Sequence, residues 1–463
     1  MKTRLLLFIC IIVYINCKAQ FSSERVVDST LAYPHLVISA DLDGDGDLDI
    51  ISASDQYPTI TWYENTDGHG TFSSQKIVTP NAYSVRTIYA ADMDGDNDMD
   101  ILATLFFNKI VWYENLDNQG SFSSEHVISD NSFGATNAMA SDIDNDGDFD
   151  VVSTCIGNPI EQEDSKLSWF ENINGQGGFG PEHILTTNTN NDKRDIFLAD
   201  LDNDNIIDII ASEKESIVWY KNSGQPNFDV QPIPFTFEGR INDIGVADMD
   251  NDGDNDIVVV GAAVGMSWLE NTDGNGDFSI EHTILQQEAI IAVCTDDFDN
   301  DGDKDIASVH VIYEQGSSDE GVIQWQENLN NGSFNNPIIL KRNVNYFLPI
   351  YSADLDQDND IDIMTTAFDV TDKVMWFENL TNLDVSKNTK NKFLLYPNPA
   401  SNILFVKSET SISSIKVYNI SGQLVLSKSN VKELNISSLS DGLYIVEIQD
   451  FYGNTSIEKL VKL

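Results

Sequence analysis

Nine-residue stretches in which aspartate stands at every second position recur seven times along the chain. The first reads Asp41-Leu42-Asp43-Gly44-Asp45-Gly46-Asp47-Leu48-Asp49. The others carry Asp92, Asp94, Asp96, Asp98 and Asp100; Asp142, Asp144, Asp146, Asp148 and Asp150; Asp200, Asp202, Asp204 and Asp208, with Ile206 in place of the fourth acid; Asp248, Asp250, Asp252, Asp254 and Asp256; Asp297, Asp299, Asp301, Asp303 and Asp305; and Asp354, Asp356, Asp358, Asp360 and Asp362. Carboxylates alternating with small or apolar residues converge when the chain turns. Such a site suits a hard cation that takes six to eight oxygens, and does not suit metals preferring nitrogen or sulfur. Converging carboxylates without a counter-ion would repel one another strongly. The sixth position is Gly46, Asn97, Gly147, Asn205, Gly253, Gly302 and Asn359, the residue types that best tolerate a left-handed turn. An EF-hand needs a bidentate Glu at position 12; here that position is Ser52, Ala103, Ser153, Ala211, Val259, Ser308 and Thr365.

The elements that position these loops repeat with them. Successive loops begin 51, 50, 58, 48, 49 and 57 residues apart, and each is followed by one of the chain's seven tryptophans: Trp62, Trp112, Trp169, Trp219, Trp268, Trp325 and Trp376. An asparagine stands three residues after each (Asn65, Asn115, Asn172, Asn222, Asn271, Asn328, Asn379). The Trp and Asn series reads as core packing and turn chemistry. Within the first unit, Val37-Ile38-Ser39-Ala40 leads into the acidic loop and Ile50-Ile51-Ser52-Ala53 leads out. Residues 60–64 alternate as a half-buried strand, and residues 72–78 follow a Gly-rich turn. Four strands at a period near 50 residues predict one blade of a propeller, and no segment keeps a helical period. The seventh unit stops after Trp376-Phe377-Glu378-Asn379 without a fourth strand. Phe21-Ser22-Ser23-Glu24-Arg25-Val26-Val27 matches the fourth strand Phe122-Ser123-Ser124-Glu125-His126-Val127-Ile128 of another unit. The chain's first strand is therefore expected to complete the last blade and close the ring, removing open edges. The fold class is all-β, a seven-bladed β-propeller followed by a small β-sandwich.

These units resemble the FG-GAP or VCBS repeats of integrin-type propellers over about residues 21–380. The resemblance implies Ca²⁺ held by the side chains at positions 1, 3, 5 and 9 and the carbonyl at 7. In the first loop these are Asp41, Asp43, Asp45, Asp49 and the carbonyl of Asp47, and the six other loops map likewise, Ile206 supplying only its carbonyl. About seven ions are expected.

From residue 381 the composition changes. Residues 381–463 hold nine Lys and seven acids, whereas the whole chain has 75 acids against 26 bases and a net charge of −49. A linker is expected over 381–391 and a small sandwich over 392–463. Its Tyr396-Pro397-Asn398-Pro399, Asn419-Ile420-Ser421-Gly422, Leu439, Asp441-Gly442-Leu443-Tyr444 and Lys459-Leu460-Val461-Lys462-Leu463 resemble the type A sorting domain of the type IX secretion system. That implies engagement with the secretion machinery and a secreted or outer-surface protein. Lys2 and Arg4 before an apolar run over 5–15, with a cut expected before Gln20, read as a signal peptide over 1–19. That run is too short to span a bilayer, and no other is long enough. The acidity argues against nucleic acid and anionic membrane as partners. Cys155 and Cys294, in different units, are not expected to pair.

Function is expected where blades differ. Longer loops between second and third strands lie at 157–166 and 310–322, and in this family such loops face away from the acidic turns. Arg86, Arg194, Arg240 and Arg342 precede strands entering acidic loops and fall on the same face. Arg86, Arg194, Arg240, His310 and Tyr313 are the candidate ligand residues, with Arg pairing to local acids as the alternative. His126, His183 and His282 share one repeat position and read as structural, and His69 lies in a turn. A binding or adhesion module for an extracellular polysaccharide or protein is expected. The alternative is a lyase-like polysaccharide-degrading enzyme drawing on His35, His310, Tyr83, Tyr313 and Tyr346. No nucleophile elbow, phosphate loop or zinc motif is present.

Overall fold

In the computed structural model the described residues are 21–462, apart from 55–56, 159, 161–163, 189–194, 214, 225–227, 287–288, 313–319, 331, 345–348, 368–371, 382–393, 409–410, 420–423, 441 and 451–454. The expected signal peptide, most of the linker, Arg194, Tyr313, Tyr346, Asp441 and part of the 419–422 motif lie outside them.

Two compact units divide at Asn382/Leu383. The first consists of seven four-stranded antiparallel sheets. Blade 1 is Pro34–Ala40, Asp49–Ser54, Ile60–Tyr63 and Lys76–Thr79; blade 2 is Val85–Ala91, Asp100–Leu105, Lys109–Tyr113 and His126–Ser129; blade 3 is Ala135–Ser141, Asp150–Cys155, Ser165–Phe170 and His183–Asn188. Blade 4 is Ile196–Ala199, Asp208–Glu213, Ser216–Lys221 and Asp229–Pro232; blade 5 is Arg240–Ala247, Asp256–Ala262, Gly265–Glu270 and Ile280–Leu285; blade 6 is Ala289–Asp296, Asp305–Ile312, Glu320–Gln326 and Ile338–Val344. Blade 7 combines Ile350–Ala353, Asp362–Ala367 and Lys373–Phe377 with Arg25–Asp28 from the other end of the unit. Arg25 pairs with Trp376 and Phe21 bridges to Asn379, so the first strand does complete the last blade. The first strand of each blade packs on that of the next, blade 7 on blade 1 included, which closes the ring.

The two middle strands of a blade are covered on both faces by neighbouring blades. Asp49–Ser54 and Ile60–Tyr63 are buried at every position. The half-buried alternation expected for 60–64 is therefore corrected: four consecutive inward positions read as a continuous apolar run because no face meets water. The seven tryptophans, all 4% exposed or less, fill the spaces between blades. At about 25 cal/mol per Å² over the 150–250 Å² such a ring buries, each contributes about 4–6 kcal/mol in transfer terms. The turn of the following blade closes over the indole through a glycine. A Cβ on Gly120 (φ +74°) would sit 2.0 Å from Trp62, and one on Gly70 (φ +71°) 2.4 Å from Trp376. Among the described residues there is no helix, and none long and apolar enough to cross a membrane. Cys155 and Cys294 are both free.

The second unit has two sheets. One contains Leu394–Tyr396, Ile403–Lys407 and Glu433–Asn435; the other contains Leu424–Ser429, Ile412–Asn419, Gly442–Asp450 and Thr455–Lys462. Leu404, Val406, Ile415, Val417, Leu434, Val446 and Leu460 are among its core residues. Asn398, from the Tyr-Pro-Asn-Pro motif, ties to the last strand. Its amide donates to the Lys459 carbonyl (2.6 Å) and its oxygen accepts from the Val461 N–H (2.9 Å).

Candidate metal centres and the opposite face

Each acidic loop is a turn built from two left-handed positions, the fourth and the sixth, whose φ values lie between 58° and 103°. Glycine or asparagine fills all of these but Gln357. The carboxylate at position 1 caps the turn. Asp41 accepts from the N–H of Gly44 (2.8 Å) and Gly46 (3.0 Å), and Asp200 accepts from Asp204 (3.2 Å) and Asn205 (2.8 Å). Position 5 accepts from the N–H of position 7, as Asp45 does from Asp47 at 3.0 Å.

Position 9 is a structural hub. Asp49, Asp100, Asp150, Asp208, Asp256, Asp305 and Asp362 are fully buried. One oxygen of each accepts from the N–H of loop position 2 (2.8–3.2 Å). The other accepts from the N–H of the asparagine after the tryptophan (2.7–2.8 Å). The side chain of that asparagine then crosses to the preceding blade and donates to the carbonyl of position 2 there, at 2.5–3.0 Å. Asn115 reaches Leu42, Asn172 Met93, Asn222 Ile143, Asn271 Leu201, Asn328 Met249, Asn379 Phe298, and Asn65 closes the circle on Leu355. The asparagines are thus inter-blade fasteners, which corrects their reading as turn chemistry alone.

Position 3 is different. In all seven loops its Oδ1 (Asp43, Asp94, Asp144, Asp202, Asp250, Asp299, Asp356) is buried and has no hydrogen-bond partner. Donor oxygens of Asp41, Asp43 and Asp45 lie within 4.8 Å of one another, as do those of Asp92, Asp94 and Asp96 and of Asp142, Asp144 and Asp146. In blades 4 and 5 the clusters are Asp200, Asp202 and Asp208, and Asp248, Asp250 and Asp256. A buried carboxylate oxygen facing further carboxylates fits a hard cation. Burial first, and then its neighbours Asp45, Glu64 and Asp41, raise the pKa of Asp43. Asp94, Asp144 and Asp250 are raised in the same way, and Asp299 and Asp356 reach about 7. The glutamate two residues after the tryptophan belongs to this environment. In blade 2, Glu114 lines a cavity of about 500 Å³ together with Asp94, Asp96 and Trp112.

The opposite ends of the strands carry the candidate ligand residues. The Arg86 guanidinium lies 5.0 Å from the Phe106 ring centroid. Arg240 is exposed at the start of its strand, and Arg342 pairs with Glu320 at 2.9 Å. His310 is 1% exposed within Asp305–Ile312 and hydrogen-bonds Ser308 (2.9 Å). Its place among ligand residues is corrected, because the strands of blade 6 run further than expected and enclose the ring. His35 bridges blades through the carbonyls of Ala53 (3.0 Å) and Val85 (2.7 Å). His126, His183 and His282 stack on Trp112, Trp169 and Trp268. Sequence reasoning named Tyr83 but missed the cleft of about 470 Å³ between blades 1 and 2 that it lines with Asn81, Phe107, Asn108, Lys109 and Glu125. Tyr83 and Phe107 are each 61% exposed. The sequence signal was Phe106-Phe107, two aromatics in a short loop.

Comparison with known proteins agrees with this architecture. The model of FG-GAP-like repeats matches residues 41–103, 200–259, 248–308 and 297–365, and that of the secretion system C-terminal sorting domain matches 394–463. Repeats of this kind often bind calcium, and the sorting domain marks a secreted or cell-surface protein that engages the type IX machinery. A solved structure of an Agrocybe aegerita lectin recognising non-reducing terminal N-acetylglucosamine is similar (TM-score 0.52, 21% identity, 75% of this chain and 86% of that one). So is BBS1N in its complex with ARL6DN (TM-score 0.50, 12% identity, 77% and 96%). At these identities the likeness is one of fold. Beta-agarase D of Zobellia galactanivorans is 35% identical over 71 residues, and the chain spans only 15% of that protein's length. Four-stranded blades, acidic loops and matching models lead to one conclusion: the chain is an FG-GAP-like repeat protein that carries a type IX secretion sorting domain.

Proposed function

We propose that the mature chain is a secreted, calcium-stabilised binding module whose ligand is an extracellular polysaccharide, docked on the face opposite the acidic loops. In a loaded loop the carboxylates at positions 1, 3, 5 and 9 and the carbonyl at 7 would hold Ca²⁺. The ion would supply the positive charge that the orphaned position 3 oxygen lacks. The donor set fits in the other six loops; Lys304, within the sixth, turns its ammonium to Asp296 outside the loop (3.1 Å), and the fourth is treated below. With calcium on one face as a rigid brace, the other face is left to bind.

The observation that carries the ligand reading is the cleft between blades 1 and 2. The flat faces of Tyr83 and Phe107 suit the C–H face of a sugar ring, while Asn81, Asn108 and Glu125 offer partners for hydroxyls. Arg86, packed on Phe106, and Arg240 add positive charge at the same end of their strands. A uronate or sulfated glycan would therefore bind more weakly with added salt. A glycan array run on wild type and on a Tyr83→Ala/Phe107→Ala variant tests the placement. Loss of binding with an intact calcium-dependent melting curve is expected. Unaltered binding, or loss of binding only on mutation of the acidic-loop face, would overturn it. Release of unsaturated uronate by the wild type would replace the binding reading with the lyase one.

A further inference from the structure

The residue two places after each tryptophan is Glu64, Glu114, Glu171, Lys221, Glu270, Glu327 and Glu378. Blade 4 alone has a lysine. Its loop also has Ile206 where the other six have aspartate. Five aspartates and a glutamate elsewhere thus become four aspartates and a lysine here; the sixth loop also holds a lysine, Lys304, but its ammonium pairs with Asp296 outside the loop at 3.1 Å.

The placement of the lysine follows from its blade. In blades 1, 2, 3, 5 and 7 the fourth-strand residue opposite the tryptophan is Lys76, His126, His183, His282 and Arg25. Four of these basic groups pair with the glutamate of their blade: Lys76 with Glu64, His126 with Glu114 (3.4 Å), His282 with Glu270 (2.6 Å) and Arg25 with Glu378. In blade 4 the residue opposite Trp219 is the neutral Gln231, and no glutamate is present. Lys221 itself takes the position over the indole, its Nζ 5.6 Å from the ring centroid, and its ammonium ion-pairs with Oδ2 of Asp202. That carboxylate is 5% exposed and is the position 3 group of the loop. Asp200, Asp202 and Asp208 converge within 4.8 Å as Asp248, Asp250 and Asp256 do in blade 5, and Asp202 Oδ1 still lacks a partner. An added ammonium, not a gap among the acids, sets this loop apart. A divalent ion ligated by Asp202 would sit against a like charge on a side chain held by the indole face.

We propose that the fourth loop takes no calcium and is neutralised by Lys221, so that the folded chain binds six ions where its seven loops suggest seven. This rests on the calcium reading of the other loops, and the experiment separates the two. The full chain is dialysed to equilibrium against Ca²⁺, and bound calcium per chain is measured by inductively coupled plasma mass spectrometry. The samples are wild type, Lys221→Glu and Lys221→Met, the last keeping an apolar stem over Trp219. Six ions in wild type and a gain of one in a variant that melts cooperatively are expected. Seven ions in wild type, or equal nonzero counts in all three proteins, would overturn this inference alone. Calcium absent from every sample would overturn the calcium reading and this inference with it.

Discussion

Removing calcium should steepen the loss of stability as pH rises. Without an ion, burial holds Asp49, Asp100, Asp150 and Asp256 up at about 7, Asp208 at about 6, Asp305 at about 8 and Asp362 at about 9. Between about pH 4 and these values the folded chain binds more protons than the unfolded one. Stability from the protonated carboxyls is fully present below about pH 4 and is lost as pH rises through the folded values. A rise from 3.8 to about 7 at the fully buried Asp49 corresponds to about 4 kcal/mol. Seven such terms exceed the about 5–15 kcal/mol net stability of a folded domain. The calcium-free ring at neutral pH is therefore expected to hold protons on its hubs or to loosen. The assay is thermal melting from about pH 5 to about pH 8, with EDTA and with excess Ca²⁺. In EDTA the melting temperature should fall by about 10 °C or more across this range, on the scale of about 2–4 °C per kcal/mol for large domains. With calcium the fall should shrink, since each site at a hundredfold excess over Kd adds about 2.7 kcal/mol. About 1 M NaCl screens surface repulsion but not buried carboxylates, so the fall should persist there. A flat or rising EDTA profile, or a calcium increment equal at both ends of the range, would refute the reasoning.

Two further outcomes follow from the fold. Deleting residues 21–27 removes most of the strand paired with Lys373–Phe377, together with Phe21, whose ring meets Trp325 at 6.0 Å and Phe298 at 5.9 Å. Aggregation or a loss of several kcal/mol is expected by light scattering and denaturant melts, and a soluble variant of unchanged stability would contradict ring closure. A chain ending at Thr381 should fold with an unaltered calcium response yet remain in the periplasm of its host, as read by fractionation; secretion of that form would remove the sorting role.

Much of this was legible because it repeats. The seven loops, the strand before and after each, and Phe21-Ser22-Ser23 as a displaced fourth strand all follow from spacing, which reports local geometry. What was not legible depends on neighbours distant in sequence. Asn65 is an ordinary turn residue until its partner at Leu355, 290 positions away, is known. Residues 60–63 show alternation on paper but are buried on both sides, because the second covering layer comes from another blade. His310 was assigned to a loop that proved to be strand. Lys221 stood in plain view as the odd member of a column of glutamates. Its meaning came only from where its ammonium goes.

The circle of asparagine bonds changes how the ring can come apart. In an open stack of repeats the end units have one neighbour each and fray first. Here no unit is terminal. Asn65 joins the first blade to the seventh as Asn115 joins the second to the first, and a strand from the opposite end of the unit lies in the last sheet. Releasing any single blade breaks two interfaces at once, whereas each later release breaks one. The initial opening is therefore the costliest step, and the protein should unfold as one cooperative unit, with amide exchange in the buried middle strands of all seven blades limited by the same opening event.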